Sequence, residues 1–163
     1  MSYRITKTYG HELGLSACFR QHKATSHCRF LHGYALSFKF TFEADTLDEN
    51  NWVLDFGGLK PLKQWLCDAF DHRLLVAQDD PALEEIKLLG MPAGYADSQL
   101  ADVLVVQAVG CEGFARMAWE TASAMLEAWR CRPVAPLANE VRLIEVEVRE
   151  HGANSAIYTG DRT

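Results

Sequence analysis

The chain has 163 residues, 48% of them hydrophobic and 23% charged, which is the make-up of one folded domain and excludes a disordered, collagen-like or disulfide-scaffolded chain. Sixteen Lys and Arg against twenty-two Asp and Glu leave a net charge of −6, which argues against broad nucleic-acid binding but allows an anionic small substrate in a locally positive pocket. No run approaches the roughly 18 apolar residues of a membrane span, and residues 1–5 lack the charged-then-apolar start of a signal peptide, so a cytoplasmic protein is expected.

In chain order, a first strand is plausible over residues 15–20. The clearest strand is 34–43, where Tyr34, Leu36, Phe38, Phe40 and Phe42 alternate with Ala35, Ser37, Lys39, Thr41 and Glu43. A period of two with one apolar face describes a half-buried antiparallel strand, and extending it backwards sets His32 beside Tyr34. Leu59, Leu62, Leu66 and Phe70 recur at helical spacing, with Pro61 tolerable in a first turn. Residues 81–110, punctuated by Pro92, Gly94 and Gly110, read as irregular, an insertion or a lid. A second helix is predicted over 112–129 from the stripe Phe114, Met117, Ala118, Thr121, Met125 and Ala128. Ile144, Val146 and Val148 share one face of a strand over 141–150, and a short strand over 155–159 follows a turn. The predicted order is ββααββ in a single domain, 1–163: an α+β fold in which two helices cover one face of an antiparallel sheet.

Three features carry chemistry. Residues 26–34 hold Cys28 between His27 and His32, with Gly33 admitting close backbone approach; the same spacing also describes a His-rich surface loop. Asp71-His72 closes the first helix, where a carboxylate can orient an imidazole and favour its charged form, or the His can simply cap carbonyls. Glu150 continues an apolar strand face, and a carboxylate there needs partners: either a ligand's N–H groups or water at the end of the sheet. Five cysteines, Cys18, Cys28, Cys67, Cys111 and Cys131, show no C-x-x-C spacing, so free thiols are expected.

Taken together these segments resemble the 6-pyruvoyl-tetrahydropterin synthase and 6-carboxytetrahydropterin synthase family. Leu15-Ser16-Ala17-Cys18-Phe19 is similar to its Phe-x-Ala-Ala-His motif, and Cys28-Arg29-Phe30-Leu31-His32-Gly33-Tyr34 to its Cys-x-x-Leu-His-Gly-His motif. Asp55-Phe56-Gly57-Gly58-Leu59-Lys60, Asp71-His72-Arg73-Leu74-Leu75 and Val148-Arg149-Glu150 resemble its Asp-Phe-x-x-Leu-Lys, Asp-His-x-x-Leu and terminal Val-x-Glu segments. The resemblance implies a T-fold (tunnelling fold) and a lyase acting on 7,8-dihydroneopterin triphosphate. Its bacterial branch makes 6-carboxytetrahydropterin on the route to queuosine and other 7-deazaguanines. It further implies Cys28 as the proton-transferring thiolate, relayed by Asp71 and His72, and Glu150 gripping the pterin's 2-amino and N3–H groups. Homotrimers or hexamers with active sites between subunits are implied as well.

The chain departs from this pattern where the family binds zinc. Of the three histidine positions only His32 is kept; the others are Phe19 and Tyr34. Three N or S ligands and an open position are what catalytic zinc needs. Either the ion has moved, with Cys18, His27 and His32 as the candidate set, or it is lost and Phe19 and Tyr34 fill the space. Placing Cys18 beside His32 would require a β-bulge. Cys111, opening the second helix, stands where the family carries a Pro-Thr-x-Glu turn and is a candidate to touch ligand through its main chain. A different reading, that of a catalytically altered or non-catalytic pterin- or purine-binding relative, also remains open.

Overall fold

The computed structural model describes residues 1–92, 99–131 and 140–160. Its centre is β3 (His32–Ala44), the strand that the aromatic alternation predicts, preceded by β1 (Tyr3–Tyr9) and β2 (Leu15–Phe19). The length of β3 lets it serve both neighbours on one side: its first residues pair antiparallel with β2, and residues 38–44 pair with β1. Its other side pairs antiparallel with β6 (Arg142–Arg149), which pairs in turn with β7 (Ser155–Tyr158).

Two helices cover the Phe face of β3. In α1 (Lys60–Phe70), Pro61 sits at the start, where its missing N–H costs nothing, and Leu62, Leu66 and Phe70 turn inward. In α3 (Cys111–Arg130), Phe114, Ala118, Ala122 and Leu126 form the buried stripe. Phe38 packs on Phe70 at 4.7 Å between ring centroids, and Phe114 meets both Phe70 and Phe19 edge-on. Each fully buried Phe contributes about 1.5–3 kcal/mol from lost contact with water, so this aromatic seam dominates the core.

The structure corrects the reading of residues 81–110. They contain α2 (Leu83–Leu88) and β5 (Asp102–Val106), and β4 (Arg73–Ala77) precedes them. Strand β4 runs parallel to both β2 and β5, so the order is β5-β4-β2-β3-β6-β7, with β1 joined to β3 beside it, and the seven-stranded sheet is mixed, not purely antiparallel. Leu75 and Ala77 join the main core, whereas Leu74 and Val76 point to the opposite face, where Ile86 of α2 and half-buried Cys18 meet them. Residues 93–98, within the segment read as a lid, lie outside the described residues. No described helix is long and apolar enough to cross a membrane.

Candidate functional site

Register places the first group of site residues. Phe19 pairs with His32 and Ala17 with Tyr34, so Phe19, His32 and Tyr34 lie on one face at the end of the β2–β3 ladder. Their rings stand 5.2 Å (Phe19–His32), 6.0 Å (Phe19–Tyr34) and 5.4 Å (His32–Tyr34) apart. Phe19 is 2% exposed. His32 Nδ1 lies 2.7 Å from the Phe30 carbonyl oxygen; since a carbonyl only accepts, Nδ1 carries the proton and Nε2 is the ring's free lone pair.

The β2–β3 connection supplies Cys28 from a single 3₁₀ turn, His27–Arg29, capped by Ser26, whose hydroxyl accepts from the Cys28 N–H at 3.4 Å. Opposite it α3 begins, with Cys111 as its first residue and Gly110 at φ 95 immediately before, a value glycine adopts without strain. Glu150 follows directly on β6. These segments enclose a cavity of about 360 Å³ lined by Phe19, Gln21, Cys28, His32, Tyr34, Gly110, Cys111, Glu112, Glu150, Asn154 and Ser155. Cys28, Cys111, Glu150 and His32, singled out from the sequence, therefore share one space.

Electrostatics divides their roles. Burial pushes the Cys111 thiol up to about 11, with the charges of Glu150 and Glu112 adding to it and a backbone hydrogen bond to Glu150 opposing. Cys111 is thus protonated at neutral pH and unsuited to act as a thiolate base. Tyr34 is raised above its ordinary value, chiefly by burial and then by the charges of Glu150, Cys28 and Cys111, so it presents a neutral hydroxyl. Glu150 is held within the cavity wall: Asn154 Nδ2 donates to its Oε1 at 3.0 Å, and His151 Nε2 lies 3.7 Å away. Asn154 and His151 escaped the sequence reading because nothing in a short turn marks which side chain folds back on the strand end.

Asp71 and His72 are not in this cavity. His72 takes a left-handed φ of 57, unusual for a residue with a Cβ and retained where the surroundings impose it. Its Nδ1 lies 2.7 Å from Asp71 Oδ1, and the side chain is 84% exposed. The carboxylate fixes the Nδ1–H tautomer and leaves Nε2 free toward solvent. His72 opens into a second cavity, of about 380 Å³, that also contains Cys18, Ser16, Gly33 and Asp102. Within one chain, then, the thiol at position 28 and the imidazole–carboxylate pair face different openings.

The candidate zinc set of Cys18, His27 and His32 does not assemble. Strand β2 is regular through Cys18↔Gly33 and Phe19↔His32, so Cys18 points away from His32 and packs with Leu74, Val76 and Ile86; the bulge that would turn it is absent. His27 is exposed on its 3₁₀ turn and is not among the residues lining the cavity. Among the described residues no three His, Cys, Asp or Glu side chains stand close enough to hold a metal ion. With Phe19 offering no donor atom, the donor set at the family's metal position does not fit zinc.

Residues 9–161 match the sequence model of the 6-pyruvoyl tetrahydropterin synthase family. The chain belongs to that family. Its similarity to a 6-carboxy-5,6,7,8-tetrahydropterin synthase of Aquifex aeolicus is 31% identity over 98 residues, 53% of this chain and 60% of that protein. A Rickettsia typhi protein of the same name is 43% identical over 54 residues, 32% of this chain and 39% of the relative. These alignments thus span between two fifths and three fifths of the relatives' lengths. Among solved structures, an uncharacterized protein from Wolinella succinogenes superposes with a TM-score of 0.77 at 20% identity, covering 99% of both chains. A 6-pyruvoyltetrahydropterin synthase from Plasmodium vivax gives 0.65 at 13% identity over 97% of each. At such identities the superpositions establish the T-fold of the family.

Proposed function

We propose that this protein is a pterin-converting lyase of the 6-carboxytetrahydropterin synthase type, acting on 7,8-dihydroneopterin triphosphate in the route to 7-deazaguanines. The observation that carries the proposal is the convergence of Cys28, the Tyr34 hydroxyl and the Glu150 carboxylate in one cavity with an aromatic wall, a set suited to a flat, polar-edged heterocycle. In this reading Glu150 accepts from the pterin's 2-amino and N3–H groups, a charge-assisted pair that orients the ring, while the aromatic wall excludes water. Cys28 takes a carbon-bound proton from the substrate's side chain as thiolate. Its own proton passes to His72 Nε2 of a neighbouring copy, because the Asp71–His72 pair opens away from Cys28 in its own chain. A homo-oligomer with sites between copies is therefore part of the proposal. The test is incubation of the protein with dihydroneopterin triphosphate and mass detection of 6-carboxytetrahydropterin; no product, with or without added zinc, would remove the proposal.

Phe19 favours a second reading, a relative that binds pterins or purines without this turnover. The two part on Cys28→Ala, which leaves a binder's affinity intact and abolishes an enzyme's turnover.

A further inference from the structure

Two of the segments that build the cavity, the loop carrying Cys28 and the turn that opens α3 at Cys111, are distant in sequence. Gln21, just beyond β2, joins them. Its backbone N–H donates to the Cys28 carbonyl at 2.9 Å, and its own carbonyl accepts from the Ala24 N–H at 2.9 Å, closing the loop on itself. Its side-chain Nε2 donates across 88 positions of sequence to the carbonyl of Val109 at 3.0 Å, and Val109 is buried. Gly110 makes room for that reach: a Cβ there would stand 2.2 Å from Gln21 Nε2. The flanking residues secure the same loop elsewhere, with Arg20 forked onto Asp80 at 2.8 and 2.5 Å and Lys23 paired with Asp79.

We propose that Gln21 is a positioning residue: its side-chain amide fixes the placement of the Cys28 thiol relative to the start of α3. Its effect on turnover rests on the pterin reading of the cavity; its effect on Cys28 itself does not. The Arg20–Asp80 fork holds the near end of the loop, but only the Gln21 amide spans from that loop to the α3 turn among the hydrogen bonds of the described residues. Removing it leaves the backbone bond to Cys28 in place and frees the loop to drift, and a misplacement of about 1 Å costs on the order of 100-fold in rate.

Three variants approach the contact from both sides. Gln21→Leu and Gln21→Glu remove the donor, the second with nearly the same shape. Gly110→Ala displaces the amide while leaving Gln21 in place, and at φ 95 it also strains the turn, so it corroborates the Gln21 variants and decides nothing alone. Two readouts are independent of any substrate: hydrogen exchange over residues 22–31, and the rate of Cys28 alkylation by iodoacetamide, resolved from the other four cysteines by peptide mass mapping. Each variant is expected to raise exchange in the loop and to change the Cys28 alkylation rate several-fold, with Gln21→Leu and Gly110→Ala non-additive in combination. With dihydroneopterin triphosphate, kcat should fall by at least tenfold while KM moves less. Wild-type exchange and alkylation in folded Gln21→Leu and Gln21→Glu overturn the inference whatever the turnover. Altered alkylation with no turnover even in wild type upholds it and overturns the pterin proposal instead. Thermal melting identifies any variant that fails to fold, and the isosteric Gln21→Glu then decides through loop exchange, because its added charge beside Cys28 alters alkylation directly.

Discussion

Substituting Glu150 by Gln probes the most discriminating contact in the proposed site. The side chain is 21% exposed, and its Oε1 already accepts from Asn154 at 3.0 Å. In Glu150→Gln the amide oxygen keeps the Asn154 bond, which turns the NH₂ group toward the ligand and sets a donor against the pterin's own N–H donors. A hydrogen bond to a charged group is worth about 1.5–3 kcal/mol, so losing it weakens binding roughly 10- to 150-fold. Folding stability should change little, because the carboxylate is partly solvated and its Asn154 partner is kept. The assay is fluorescence titration of the Cys28→Ala background with neopterin and with lumazine, which carries a carbonyl where a pterin has its 2-amino group. The Glu150 background should prefer neopterin; Glu150→Gln should lose most of that preference, with lumazine affinity unchanged or improved. Equal neopterin affinity in the two proteins would refute the assignment of Glu150 as the pterin anchor.

Three further outcomes follow from the same geometry. If His72 serves a neighbouring copy's Cys28, mixing Cys28→Ala with His72→Ala protein under subunit exchange restores turnover that neither has alone; no recovery in proven mixed oligomers would place both groups in one chain's site. Calorimetric titration of chelator-treated protein should show no stoichiometric zinc site of micromolar affinity or better, whereas Phe19→His/Tyr34→His should gain one; a tight single site in the unmodified chain would contradict the donor-set argument. Arg20's hydrogen bonds hold the Asp80 carboxyl below its ordinary range. That pair therefore contributes stability above the unfolded carboxyl value of about 3.9 and loses it as pH falls through the lower folded value. Asp80→Asn should lower the melting temperature at pH 7, toward the small end of the roughly 3–5 kcal/mol for a broken buried pair, since Arg20 is about a quarter exposed. The difference between variant and wild type should shrink as pH falls through the carboxyl's lowered range; a difference independent of pH would show that the pair is not what matters.

Local pattern was enough where burial is one-sided. The alternation through Phe38, Phe40 and Phe42 and the stripes of α1 and α3 each imply a face, and the structure buries those faces against one another. Strand β5 escaped because Asp102-Val103-Leu104-Val105-Val106 is a short edge strand, paired in parallel with β4 alone, whose continuous apolar run shows no alternation. Strand β1 escaped for the opposite reason, being exposed along most of its length. Alternation also sufficed to say that Cys18 and Phe19 face opposite ways, since neighbouring side chains in a strand always do.

By itself the sequence determined the family, the two long helices, the central strand and the chemical types at the site: a thiol, an imidazole–carboxylate pair and an acid at a strand end. Which of these share a space was decided only by tertiary structure. Cys28, Cys111 and Glu150 are brought together by three separate chain segments, and His72 is turned to another opening although the motifs carry it alongside Cys28. The physical reason is that residue type and periodicity are local properties, whereas convergence depends on strand register and on long-range hydrogen bonds such as that from Gln21 to Val109, which no local spacing encodes.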